Sequence, residues 1–130
     1  MATHTFYKKV IDFAKSQGIA VIVDETKTGV GSTGKAWGHE YWYLNESQRP
    51  DFVTFGGKTG LAGFFADKSN KLSDAETEAM FKQVDTSKLV QYGKTWEYIQ
   101  ANNLLHKLGD TSSFLKIELE RVGRETGVVH

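Results

Sequence analysis

The sequence predicts an α/β chain: a partial, mostly parallel sheet with flanking helices. Three observations carry this. A segment with helical apolar spacing runs directly into a continuous apolar segment, as a helix leads into a buried strand. A second short apolar run follows Pro50. Each apolar run is followed by a glycine-rich stretch, the kind of loop that follows a strand where an α/β sheet meets its ligand.

Residues 6–17 place Phe6, Tyr7, Val10, Ile11, Phe13 and Ala14 three and four apart, and Gly18 is a natural stop, so this segment is an amphipathic helix. Residues 19–23 are apolar and mostly β-branched without polar alternation, the pattern of a strand buried on both faces of a parallel sheet. The run delivers Asp24 and Glu25 at its end. A glycine-rich stretch over 28–34 and an aromatic segment over 37–44 lead to the second strand, residues 52–55. Residues 56–63 are again glycine-rich, so both strands end in loops able to approach a ligand closely, and the site is expected there. Beyond Lys68 the pattern is helical. Ser73 and Glu76 form the two halves of a capping box. Two further helices are expected over 96–108 and 114–126, separated by Gly109-Asp110-Thr111 and closing near Gly127. Two strands are a small sheet for so many helices, so residues 1–130 read as one partial domain, with strands and loops over 1–68 and helices over 69–130. Strands built for a larger sheet leave an unpaired edge and exposed apolar surface.

Composition narrows the function classes. Hydrophobic residues make up 39% and aromatics 12% of the chain, a globular balance. Sixteen basic residues offset 16 acidic ones with no long run of either sign, which argues against a nucleic-acid or anionic-membrane partner. With no cysteine there is no disulfide framework, thiolate metal site or cysteine nucleophile. The first residues hold no apolar run of signal-peptide or membrane-span length and do not read as a transit peptide.

Several motifs are decoys. Gly29 to Gly34 has GxGxxG spacing, but Asp24 and Glu25 intervene after the strand and no helix pattern opens after Gly34. The same stretch through Lys35 mimics a phosphate-binding loop, yet Ala36 stands where a magnesium-ligating hydroxyl is required. Before Gly57-Lys58-Thr59, Phe52 occupies the first glycine position of such a loop. His39 and Glu40 lack a second histidine four residues on, where Tyr43 stands; no metal is expected, and His39 reads as a partly buried imidazole among Trp37, Tyr41 and Trp42.

A different set of residues acts together. Val21-Ile22-Val23-Asp24-Glu25, Thr28-Gly29, Thr33-Gly34-Lys35, Trp37, His39-Glu40 and Trp42 resemble the core of class III pyridoxal-phosphate-dependent aminotransferases, specifically the 4-aminobutyrate type. The likeness continues through Pro50-Asp51, Val53-Thr54-Phe55, Lys58, Gly63-Phe64-Phe65, Thr95-Trp96 and Asn103-Leu104-Leu105. It implies part of the large domain of a fold-type I enzyme using pyridoxal 5'-phosphate, which such enzymes bind as a Schiff base to lysine and use as an electron sink. By this resemblance Lys58 is the catalytic lysine that holds the cofactor and shuttles a proton, and Asp24 keeps the pyridine nitrogen protonated. Lys27 stands where the family has a glutamine contacting the phenolic oxygen. Thr95 matches a threonine that donates to the cofactor phosphate of the neighbouring subunit, a helix N-cap being the alternative. Glu25 is given no direct cofactor role.

The chain also departs from the family pattern. Gly56 and Gly57 replace a small polar residue and a first lysine, and Tyr98-Ile99-Gln100 replaces Gly-Asp-Pro. The family's upstream phosphate loop, substrate-reading arginines and small domain lie outside these residues. The resemblance therefore implies a fragment, inactive alone, of an enzyme that moves an amino group from an ω-amino acid to 2-oxoglutarate, dimeric in its parent form and mitochondrial, the alternative being cytoplasmic. The alternative is a non-catalytic, aminotransferase-derived subunit of a larger protein assembly.

Overall fold

The computed structural model describes residues 3–69, 73–82 and 85–127. Helix α1, His4–Ser16, begins at Thr3, whose hydroxyl accepts the Phe6 amide at 3.3 Å, and ends before Gly18 at φ 66°. Its inner face buries Ile11 and stacks Tyr7 on Trp42 with ring centroids 4.1 Å apart and planes within 7°. Trp42 belongs to a 3-10 turn, Gly38–Trp42, and a second such turn, Glu46–Gln48, ties back to α1 by donating from Gln48 to Asp12 at 2.9 Å.

The sheet has three strands in the order β1-β2-β3: β1 Ile22–Asp24, β2 Phe52–Phe55 and β3 Gly63–Ala66. Strands β1 and β2 run parallel with Val23 opposite Val53 and Asp24 opposite Thr54, while β2 and β3 are antiparallel with Val53 opposite Phe65. The second strand falls where the apolar run placed it. The first is shorter than residues 19–23, and it is not buried on both faces: Val23 is buried, but Ile22 remains 63% exposed. With three strands, no further layer among the described residues covers the Ile22 face. Strand β3 falls at the end of the glycine-rich stretch and was not anticipated, because Gly63 and Ala66 offer no β-branched signal.

Helix α2, Asp74–Phe81, carries the expected capping box, with the Ser73 hydroxyl accepting the Glu76 amide at 3.3 Å and Glu76 accepting the Ser73 amide at 2.9 Å. The later helices differ from the sequence reading. They are α3, Thr86–Ala101, and α4, Leu104–Thr126, so the break falls at Asn102 and Asn103 rather than at residues 109–111. Asn103 adopts the left-handed region at φ 51°, which asparagine tolerates, whereas an interior glycine costs a helix only about 1 kcal/mol relative to alanine. The Gly109 turn gains local support. Asp110 pairs with His106, one turn earlier, at 2.8 Å. Helix α3 is fastened to the sheet by aromatic rings: Phe55 packs against Phe65 at 5.0 Å and Tyr92 at 5.5 Å, and Trp37 against Phe65 at 5.4 Å and Trp96 at 6.4 Å.

Candidate functional site

Because β1 and β2 are parallel, their carboxyl ends open on the same side, and Asp24 and Thr54 stand opposite each other there. The Thr54 hydroxyl donates to Asp24 Oδ1 at 3.0 Å and the Thr26 amide donates to the same oxygen at 2.9 Å. The Thr26 contacts, led by its amide, together with Thr54 and the charge of Lys27 hold the Asp24 carboxyl below its ordinary value, so it is an anion at neutral pH. Lys58 lies three residues beyond β2 and reaches back across the strand ends. Its Nζ donates to the Lys27 carbonyl and to Ser32 Oγ. Asp24, Lys27 and Lys58 are thus gathered at one sheet edge, Lys27 contributing its main-chain oxygen to Lys58 while its side chain is exposed. Thr95 stands elsewhere, in the interior of α3, where its hydroxyl donates to the Gln91 carbonyl at 2.9 Å. It is not a helix N-cap.

Glu25, given no direct cofactor role from the sequence, has a structural one that the sequence reading did not name. It is 2% exposed, more buried than any other described side chain, and its carboxylate fastens both ends of the loop after β1. Oε1 accepts the His39 amide at 2.7 Å and stands 2.8 Å from His39 Nδ1; Oε2 accepts the Gly38 amide at 3.1 Å and the Thr28 hydroxyl. Burial alone would raise its pKa, but these donors outweigh it and hold the carboxyl below its ordinary value. Its main chain joins the same network, donating to the Thr54 carbonyl at 2.9 Å and accepting from Gly29 at 2.8 Å. The signal was present in the sequence: an acidic residue closing a buried strand and followed by a glycine-rich loop has amide donors within reach. His39 is the partly buried imidazole expected, packed edge-on to Trp42 at 6.1 Å, with Glu25 as its unforeseen partner.

The loop that Glu25 closes is sharply turned. Val30 has φ 54° and Gly31 φ 85°, and a Cβ on Gly31 would lie 2.8 Å from Leu105 Cδ2. A cleft of about 870 Å³ lies beside α1 and the Gly38–Trp42 turn, lined by Tyr7, Ile11, Asp24, Glu25, His39 and Trp42. Lys58 is outside that lining, so the chemistry-bearing cluster is the strand-end edge rather than the cleft itself. Among the described residues no three His, Cys, Asp or Glu side chains are grouped to hold a metal.

The edge suits a small anionic aldehyde with a basic ring nitrogen. It offers a primary amine, a charged carboxylate and, next to Lys58, the buried Thr59 hydroxyl with no hydrogen-bond partner among the described residues. Gly57 beside it, at φ 85°, meets no atom that would obstruct a side chain, so the backbone there is open to a ligand.

Residues 1–130 match the family described as Aminotransferase class-III over their whole length. The 4-aminobutyrate aminotransferase of Dictyostelium discoideum is 34% identical over 115 residues, covering 88% of this chain and 23% of that protein. The mitochondrial 4-aminobutyrate aminotransferase of Sus scrofa is 44% identical over 64 residues, 49% of this chain and 12% of that one. The chain therefore spans about a quarter of the length of the Dictyostelium relative or less of the porcine one. In structure it follows lysine aminotransferase from M. tuberculosis with a TM-score of 0.76 at 21% identity, covering 98% of this chain and 30% of that one. An S-selective transaminase from Arthrobacter sp. gives 0.70 at 20% identity, covering 96% and 28%. These structural likenesses establish the fold as that of part of an aminotransferase, and the family match over every residue establishes that this chain belongs to the class III aminotransferases.

Proposed function

We propose that the chain is the cofactor-lysine portion of a 4-aminobutyrate-type aminotransferase, with Lys58 as the attachment point for pyridoxal 5'-phosphate. The observation that supports this most is the Asp24, Thr54 and Lys58 cluster: a carboxylate held charged at the end of one strand and a primary amine carried by the loop after its parallel neighbour. Bound there, the cofactor supplies an electron sink for the carbon that bears the substrate amine. Asp24 keeps a cationic ring nitrogen in place, since a carboxylate beside it favours the protonated form. Thr54 orients Asp24 through the 3.0 Å hydrogen bond. Lys58, as a free amine, would move the proton at the substrate carbon. Lys27 lies on the adjoining loop and would hold the ring's phenolic side, and Thr95, on α3, would offer its hydroxyl to a phosphate held by a partner subunit.

In the whole enzyme the amino group would pass from an ω-amino acid to 2-oxoglutarate in a mitochondrial homodimer; this segment alone is inactive, because the residues that read substrate are not in it. A second reading, a non-catalytic interaction subunit, is favoured by the apolar side chains left outside: Ile22 is 63% exposed, Phe114 65% and Ile117 60%. Titration of the chain with pyridoxal phosphate, borohydride reduction and peptide mapping separates the two. The enzyme reading requires labelling concentrated on Lys58 and lost in Lys58→Ala. Labelling scattered over surface lysines and unchanged in that variant rejects it in favour of the interaction subunit.

A further inference from the structure

We propose that Ser32 is a positioning residue for Lys58, its hydroxyl forming with the Lys27 carbonyl a two-oxygen seat that holds the Lys58 amine against the loop until the amine is required. The Ser32 hydroxyl is oriented for this. It donates to the Gly29 carbonyl at 2.8 Å, which leaves its lone pairs free to accept, and Lys58 Nζ takes that place. The second oxygen belongs to the main chain of the same loop. The loop is held in shape at both ends by the buried Glu25 carboxylate, through Thr28 on one side and Gly38 and His39 on the other.

The backbone of the seat is costly to form. Val30, a β-branched residue, sits in the left-handed region at φ 54°, and Gly31 and Gly34 follow at φ 85° and 86°. A β-branched residue in that region persists only where surrounding contacts over-determine it. Here they bring Ser32 round to the amine: Gly29 is pinned between the Glu25 carbonyl and the Trp37 ring, where a Cβ would meet atoms at 2.8 Å, and Gly31 lies under Leu105. The consequence is an amine with two of its donors already engaged. An electrophile must win Lys58 from the seat, so the seat governs how fast the lysine is engaged rather than which group engages it.

That Lys58 serves a cofactor rests on the function proposed above, whereas the seat can be tested without the cofactor. Trace acetic anhydride acylates each lysine as its free amine attacks the anhydride, releasing acetate and a proton, and peptide mapping gives the rate at Lys58 relative to the exposed Lys9 and Lys116. In Ser32→Ala the relative rate at Lys58 is expected to rise about threefold or more, the equivalent of losing one hydrogen bond, and Ser32→Thr, which keeps the hydroxyl, restores it. An unchanged relative rate in Ser32→Ala overturns the proposal. So does a uniform rise across all lysines, which would show that Ser32 only supports the fold. If pyridoxal phosphate with borohydride fails to mark Lys58 in the unaltered chain while Ser32→Ala still releases the amine to the anhydride, the cofactor reading falls and the seat stands.

Discussion

Glu25→Gln is the most informative single change to the loop, because it keeps the shape of the side chain and removes one acceptor and the charge. The glutamate presents two oxygens to four donors: the His39 amide and Nδ1 on one side, the Gly38 amide and the Thr28 hydroxyl on the other. A glutamine presents one oxygen and one NH2 group. Turned with its oxygen toward His39, it sets the NH2 against the Gly38 amide; the Thr28 hydroxyl can rotate to accept, but the Gly38 N–H is left without a partner. An orphaned buried donor costs about 1–3 kcal/mol, and the remaining bonds lose their charge assistance, so the change should destabilise by about 3 kcal/mol. For a domain of this size that lowers the unfolding midpoint by something on the order of 10 °C. Thermal unfolding followed by tryptophan fluorescence reads it, since Trp37 and Trp42 flank the affected turn. Amide exchange at Gly38 and His39 gives the local measure. An unaltered midpoint with unaltered protection at those two amides would refute the argument that Glu25 clips the loop.

Two further expectations follow from the same geometry. Because the folded-state pKa of Glu25 lies below its ordinary value of 4.5, folding releases a proton from it; its stabilisation is complete above that value and is lost as pH falls through the lowered one. Urea midpoints should therefore fall on acidification below about pH 4.5, and the gap between native chain and Glu25→Gln should narrow over the same range; a constant gap counts against the assignment. Gly29→Ala places a Cβ 2.8 Å from the Glu25 carbonyl and the Trp37 ring and should cost about 1–3 kcal/mol, whereas Gly93→Ala in the interior of α3 meets nothing within 4 Å and should stabilise by about 0.5–1 kcal/mol. Denaturant unfolding of the two variants compares them, and equal effects of the same sign would remove the steric argument for Gly29.

What could be read from the sequence divides along physical lines. Strand β2 and the Ser73 cap were legible because short-range patterns fix them: an apolar run after a proline, and two polar side chains three residues apart. The break between α3 and α4 was not, since Gly109 and Asp110 look like a stop locally, while the packing of Gly31 and Gly34 against Leu105 and Gly109 belongs to tertiary structure. The assumption that residues 19–23 would be buried on both faces came from the parallel-sheet pattern, and only Val23 meets it. At the site, Asp24 and Lys58 were named from family resemblance. Glu25 and Ser32 were not, because a hydrogen bond from residue 25 to residue 39, or from residue 58 to residue 32, has no local periodicity to betray it.

Hydrophobic burial and polar contacts divide the work of holding this molecule together. Ile11, Val23 and Phe55 are its buried aliphatic and aromatic core, and wide apolar faces stay open on β1 and α4. Hydrophobic burial by these residues alone is a weak constraint on any one loop. Yet the loop between β1 and the Gly38–Trp42 turn is held by a fully buried carboxylate with four side-chain acceptor contacts and main-chain bonds to Thr54 and Gly29. Those bonds are directional, and they do not depend on a layer packed against Ile22. The geometry around Lys58 is therefore set by polar contacts within the segment. Covering the apolar faces with the rest of a large domain should raise global stability far more than it alters the seat of Lys58. With no cofactor on Lys58 in either protein, the labelling ratio of Lys58 to Lys9 should accordingly change little between this chain and a longer aminotransferase that contains it.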